Sequence, residues 1–177
     1  PKIVAMVHGE TANGQMQPLA EIGQYCRAKD IFFVVDMVAT YGGVALSVDD
    51  WCVDLAIAGT QKCLSVPSGL SLVTYNDRVE AVLNARYQKE LGLSKTDRNK
   101  RHIMSNYLDL SQLQRYWNTE RINHHTEATS MIYALHEGLR MLLNEGLDAA
   151  YQRHLTNEGA LVAGLEAMGL SIYGEKA

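Results

Sequence analysis

Two residues in this chain could do chemistry together, Asp36 and Lys62. Each follows an apolar run of the kind that forms a buried strand. Ile-Phe-Phe-Val-Val at 31–35 precedes Asp36, and Leu-Ala-Ile-Ala at 55–58 precedes Gly59-Thr60-Gln61-Lys62. In a parallel sheet both would emerge at the carboxyl edge, where open α/β sheets bind ligands. An acid and an amine facing one ligand from two sides are what pyridoxal phosphate chemistry demands. The amine forms the Schiff base, and the carboxylate pairs with the protonated pyridine nitrogen. That pairing stabilises the charged ring. The ring then takes up the electrons of a carbanion at the substrate α carbon, while the freed amine moves the proton. Spacing alone fits equally a structural Asp–Lys salt bridge or two separate surface charges, and by itself favours those.

The elements that must position the pair can be read from hydrophobic patterning. The run at 3–7 ends at His8-Gly9 and suits a strand buried on both faces. Residues 8–17 read as a polar loop. Pro18 then opens a helix with Leu19, Ile22, Gly23 and Cys26 at helical spacing. Strand, helix, strand implies a right-handed parallel crossover. After Lys62 the loop 66–69 turns the chain into a strand at 70–75, with too little chain for a parallel return, so an antiparallel pairing is expected. Residues 77–88 read as helix, 90–106 as a long polar loop, and 110–117 as mixed. A long amphipathic helix is expected over 126–144, with Met131, Leu135, Leu139 and Leu142 on one face. Gly146 would cap it, and a further helical region follows to Met168. The fold expected is α/β, a three-layer α-β-α domain with a mainly parallel sheet. Residues 1–145 would form part of a large domain, and 146–177 would begin a smaller α+β C-terminal domain. Both ends read as cut from something longer.

Composition narrows the function classes. The 177 residues are 47% hydrophobic and 20% charged, with a formal net charge of -4. A sizeable core is possible, and a nucleic-acid footprint is not indicated. The basic run at 95–101 lacks interleaved aromatics and reads as a solvated loop. No apolar run approaches the roughly 20 residues that span a bilayer. Cys26, Cys52 and Cys63 form no CxxC pair and read as reduced thiols, which points to a cytoplasmic protein.

His8-Gly9-Glu10-Thr11, Val34-Val35-Asp36-Met37-Val38-Ala39-Thr40, Ala58-Gly59-Thr60-Gln61-Lys62 and Pro67-Ser68-Gly69 occur in one order. That ordered set resembles the class V aminotransferases, fold type I pyridoxal phosphate enzymes. The branch it resembles holds the alanine–, serine– and ureidoglycine–glyoxylate aminotransferases. The resemblance runs from Val7 to about Gly169. It implies that Lys62 carries the cofactor and that Asp36 pairs with its ring nitrogen. It implies that Val38 packs on the ring, although a core role alone would also explain a valine there. Thr11 would donate near the 3-oxygen, and Gln61 would bond near the phosphate.

The stretch Asn123-His124-His125-Thr126 comes next. Consecutive histidines rarely point at one ion, and no third ligand has suitable spacing, so no metal is expected. Thr126 could be an ordinary N-cap or could stand at a helix N-terminus that binds an anion. The resemblance favours the second, with the segment reaching the cofactor phosphate of a partner subunit in a homodimer. Alanine–glyoxylate members tend to carry tyrosine before His-His-Thr. Asn123 here resembles the ureidoglycine branch. An amide both donates and accepts, which suits a ureido group. Asn123 could instead only replace a phosphate-binding hydroxyl.

The remaining candidates read as structural. His8 would end a strand and Glu10 order the loop. His102, His136 and His154 show no partner signal and read as surface or interface groups, and Trp51 and Trp117 read as packing residues. The family's N-terminal phosphate loop and the arginine that clamps the substrate carboxylate match no residue of this chain. Neither Arg121 nor Arg140 stands at the family position.

The function the resemblance implies is transamination with glyoxylate as acceptor and (S)-ureidoglycine as donor, in purine catabolism. Alanine or serine as donor is the alternative. A desulfurase tends to have histidine before the lysine, where this chain has Gln61, and Cys63 is poorly placed as its mobile cysteine. An inactive α/β dimerisation module is the alternative of another class, and the intact Asp36 and Lys62 speak against it.

Overall fold

The computed structural model describes residues 1–90, 103 and 105–173, with residues 88–90 described by backbone only. The long polar stretch, the basic run and His102 lie mostly or wholly outside the described residues. The chain divides into two compact units, one of residues 1–74 with 128–177 and one of residues 75–127.

The first unit is built on a four-stranded sheet in the order β1-β4-β5-β6. Its strands are β1 (Ile3–Val7), β4 (Phe32–Asp36), β5 (Leu55–Gly59) and β6 (Ser71–Tyr75). β1, β4 and β5 are parallel, with Val7 level with Asp36 and Asp36 level with Ile57. β6 lies beside β5 at the far edge. The architecture is mixed α/β with a mainly parallel sheet, as the patterning implied.

α1 (Leu19–Ala28) crosses between β1 and β4 and presents Leu19, Gly23 and Cys26 to the sheet. Those residues pack on Phe33 and Val35, which are fully buried. Gly23 is where the helix comes closest. A Cβ there would overlap the carbonyl oxygen of Trp51 and meet the Phe33 ring at 3.1 Å. Asp54 locks the next strand in register. Its buried Oδ2 accepts from the Phe33 amide at 2.8 Å, and its own amide donates back to the Phe33 carbonyl at 2.8 Å.

Three expectations change. β1 stands at the edge of the sheet this chain forms, with Ile3 58% and Val7 42% exposed, where burial on both faces is expected. A continuous apolar run cannot say which neighbours a strand has. The polar stretch 8–17 contains a small antiparallel hairpin, β2 (Gly9–Glu10) and β3 (Gln15–Met16). The Glu10 carboxylate accepts from the Ala12 amide at 2.8 Å and so orders the turn between them. Trp51 packs against the core, but Trp117 is 68% exposed.

α4 (Thr129–Glu145) and α5 (Leu147–Ala167) complete the first unit. α4 packs over the loop that follows Lys62. A Cβ on Gly138 would overlap the Val66 side chain, and one on Gly69 would touch Met131. The boundary expected after residue 145 falls at the joint of these two helices. Gly146 there has a φ of 89° and separates them.

The second unit holds α2 (Asp77–Glu90) and α3 (Leu110–Trp117). The stretch read as mixed is therefore a helix. Asp109 caps it by accepting from the Ser111 amide at 3.0 Å and the Ser111 hydroxyl at 2.7 Å. Gln114 on α3 donates to Glu80 on α2 at 2.6 Å.

Candidate active site

Asp36 is the last residue of β4, at the carboxyl edge of the sheet. One carboxylate oxygen accepts from the Val38 amide at 2.8 Å. The other has no hydrogen-bond partner among the described residues and so keeps its capacity to accept. The chain then closes into a turn, with the amides of Thr40 and Tyr41 both donating to the Met37 carbonyl.

Lys62 lies beyond the end of β5, in a loop closed by its neighbours. Thr60 is fully buried. Its hydroxyl donates to the Pro67 carbonyl at 2.8 Å, and its own carbonyl accepts from the Val66 amide at 3.0 Å. Within that closure the Ser65 amide donates to the Lys62 carbonyl at 2.9 Å, and Ser65 itself sits at a φ of 57°. The Lys62 ammonium is exposed and makes no ion pair among the described residues. Cys63 ties this loop to the turn after Asp36, its thiol donating to the Ala39 carbonyl at 3.2 Å.

Val38 and Gln61 both pack where a side chain on Gly59 would go. A Cβ at Gly59 would lie 2.8 Å from Gln61 Oε1 and 3.2 Å from Val38 Cγ1. Thr11 is in the exposed hairpin turn that follows β1, and so is also on the carboxyl side of the sheet. The fold thus brings Asp36, Val38, Gln61, Lys62 and Thr11 to one edge. Thr60 is the member sequence reasoning passed over. Its place between a glycine and the lysine gave no hint that its hydroxyl closes the loop.

Asn123 and Thr126 belong to the second unit and are described within it. Asn123 lines a cavity of about 250 Å³ with Tyr87, Gln112, Arg115 and His124 among its neighbours. Thr126 is not a helix cap. α4 starts at Thr129 behind Ala128, so Thr126 stands on exposed irregular chain ahead of the helix. The threonine pattern fits two start points, and the chain takes the later one.

The two histidines between them are hydrogen-bonded. His124 Nε2 lies 2.7 Å from the Asn106 carbonyl oxygen. A carbonyl only accepts, so that nitrogen carries the proton. His124 Nδ1 lies 2.8 Å from His125 Nδ1, and His125 Nε2 lies 3.6 Å from Glu127. Tyr107 stacks on His124, and Tyr116 leans on His125 with centroids 5.2 Å apart. The pair is therefore engaged with its own chain. Among the described residues no group of three or more histidine, cysteine or acidic side chains could hold a metal ion.

Comparison with known proteins gives the geometry its context. The (S)-ureidoglycine–glyoxylate transaminase of Bacillus subtilis (strain 168) is 55% identical over 180 residues, covering 99% of this chain and 43% of that protein. The alanine–glyoxylate aminotransferase of Mus musculus is 31% identical over 176 residues, covering 98% of this chain and 39% of that protein. Among solved structures, the ureidoglycine–glyoxylate aminotransferase from Bacillus subtilis aligns with a TM-score of 0.88 at 54% identity, over 99% of this chain and 42% of that one. An alanine–glyoxylate aminotransferase from Nostoc sp. aligns with a TM-score of 0.84 at 38% identity, over 99% of this chain and 43% of that one. The chain thus spans 39–43% of the length of these relatives. The family described as aminotransferase class V matches residues 1–177, and the chain belongs to it.

Proposed function

We propose that the protein containing this chain is a pyridoxal-phosphate-dependent transaminase that takes glyoxylate as amino acceptor and (S)-ureidoglycine as donor. The observation that carries this is the shared sheet edge. A half-engaged carboxylate and an amine without an ion pair stand beyond adjacent parallel strands, in a chain 55% identical to a transaminase of that description.

The residues fit the cofactor. Gly59 lets Val38 and Gln61 pack closely together at the strand end, since a Cβ there would come 2.8 Å from Gln61 Oε1 and 3.2 Å from Val38 Cγ1. Val38 offers an apolar face to a flat ring, and the Gln61 amide offers a donor to a phosphate. Asp36 would pair with the protonated ring nitrogen through its unengaged oxygen, while the Val38 amide keeps the other oxygen in place. Lys62 is the group that holds the cofactor and afterwards moves a proton at the substrate α carbon. Thr11 donates from the hairpin turn. When bound, pyridoxal phosphate supplies an electron sink for the negative charge left on that carbon.

Asn123 selects the donor in this reading. Its amide offers a ureido group both a donor and an acceptor. Thr126 serves the phosphate of a partner subunit's cofactor, which makes the active form a homodimer. The site then takes an amino acid and a keto acid and works in the cytoplasm. Among the described residues, no helix is long and apolar enough to cross a membrane.

Glycine formation from glyoxylate by the full-length enzyme tests the reading, with ureidoglycine, alanine and serine compared as donors. Ureidoglycine is expected to win, and Asn123→Tyr to shift preference toward alanine. Equal discrimination before and after that change would remove Asn123 from the site. Alanine as the preferred donor would favour the second reading, for which the relatives named alanine–glyoxylate aminotransferase speak.

A further inference from the structure

We propose that His8 and Thr40 are positioning residues for the Asp36 carboxylate, acting through the turn at residues 37–40. The proposal rests on the reading of Asp36 as the partner of the cofactor ring nitrogen.

His8 holds that turn at both ends. Its amide donates to the Asp36 carbonyl at 2.8 Å, where β1 and β4 run out side by side. Its ring Nδ1 lies 2.9 Å from the Thr40 hydroxyl oxygen. That hydroxyl in turn lies 3.4 Å from the Met37 carbonyl. The 2.9 Å contact to His8 is the closer of the two, and either tautomer of His8 keeps it, donating from an Nδ1–H or accepting at a bare Nδ1.

Both side chains are buried, His8 at 5% and Thr40 at 7% exposure, so neither bond competes with water. Trp51 closes the other side of the imidazole, with ring centroids 5.6 Å apart. Burial lowers the pKa of His8 and keeps the ring neutral. Space is tight as well, since a Cβ on Gly9 would come within 2.6 Å of the Thr40 methyl.

Between the two anchors sits the Val38 amide, which grips one Asp36 oxygen at 2.8 Å. Where that amide points depends on the turn, and the turn depends on Thr40. The same turn receives the Cys63 thiol on the Ala39 carbonyl, one residue from Lys62. Loosening Thr40 therefore frees the carboxylate to rotate and slackens the lysine loop, without removing any group that touches the cofactor.

The test uses the full-length enzyme stripped of cofactor and titrated with pyridoxal phosphate. Thr40→Val keeps the shape and removes the hydroxyl. It is expected to raise the Kd about tenfold, the size of one lost buried hydrogen bond. Thr40→Ser restores the hydroxyl and is expected to return the Kd to within about threefold of the wild type. In an Asp36→Asn background the Thr40→Val effect is expected to vanish, because the carboxylate it orients is gone. An unchanged Kd with only a lower Tm would make Thr40 merely structural and overturn the proposal. An undiminished effect in the Asp36→Asn background would overturn it equally. A wild type that takes up no cofactor would instead remove the underlying reading of Asp36.

Discussion

Asp36 and Lys62 leave the ends of adjacent parallel strands, and the turns that carry them are closed by main-chain hydrogen bonds and a buried threonine. Asn123 and Thr126 stand on a different kind of support. Among the described residues, the amides of residues 123–126 make no hydrogen bond, and the segment is held instead from its side chains. The first arrangement suits groups that must keep one orientation relative to a rigid ring. The second suits groups that meet a ligand from outside the sheet. A backbone-held group should fail sharply and locally when changed. A side-chain-held one should degrade by degrees.

The largest expected effect is at the sheet edge. Asp36→Asn keeps the shape and removes the charge, and turnover of the full-length enzyme should fall by about 10²–10³-fold. Its thermal unfolding should stay close to that of the wild type. A fall of similar size with a collapse in Tm would mean that Asp36 is structural, and the contrast between the regions would blur.

Gly23→Ala asks whether packing beneath the edge gives it its rigidity. The added methyl meets the Trp51 carbonyl, which cannot move without shifting the connection to β5. A loss of about 1–3 kcal/mol is expected, read as a lowered midpoint in chemical denaturation. At the other region, Thr126→Val should weaken phosphate binding only about tenfold, read as a raised Kd for pyridoxal phosphate. A loss there as large as that of Asp36→Asn would put the two regions on the same footing.

The smallest effect is a pH dependence. The folded pKa of His8 lies below the ordinary histidine value, so the unfolded chain binds the proton more readily. Stability is then fully present above about pH 6.5 and falls as the pH drops toward the folded value. Comparing wild type and His8→Asn across pH 7 to 5 by thermal unfolding isolates that component. The variant should show the shallower slope.

Much of the sheet edge was legible because its signals are local. The apolar run before Asp36, the apolar run before Lys62 and the crossover rule together put both groups on one side. The helical spacing of Leu19, Gly23 and Cys26 named the face that α1 buries. What the sequence withheld depends on contacts between distant residues. Nothing near His8 in the chain points to Thr40, 32 residues away. The edge position of β1 depends on which strands exist beside it, which an apolar run does not encode. α3 did have local signals, since Asp109 before Leu110 is a capping residue and Leu110, Leu113 and Trp117 recur at helical spacing, but the helix is only eight residues long. The second region was least legible of all. Only resemblance singles out Asn123, and the helix start that the pattern puts at Thr126 lies further along the chain, at Thr129.

The central claim is that Lys62 carries pyridoxal phosphate. An absorbance scan of the full-length enzyme, with and without added cofactor, tests it directly. The wild type should bind the cofactor and show a visible band above about 400 nm, and Lys62→Ala should abolish that band. A colourless wild type that takes up no cofactor, or a Lys62→Ala variant that keeps the band, would contradict it.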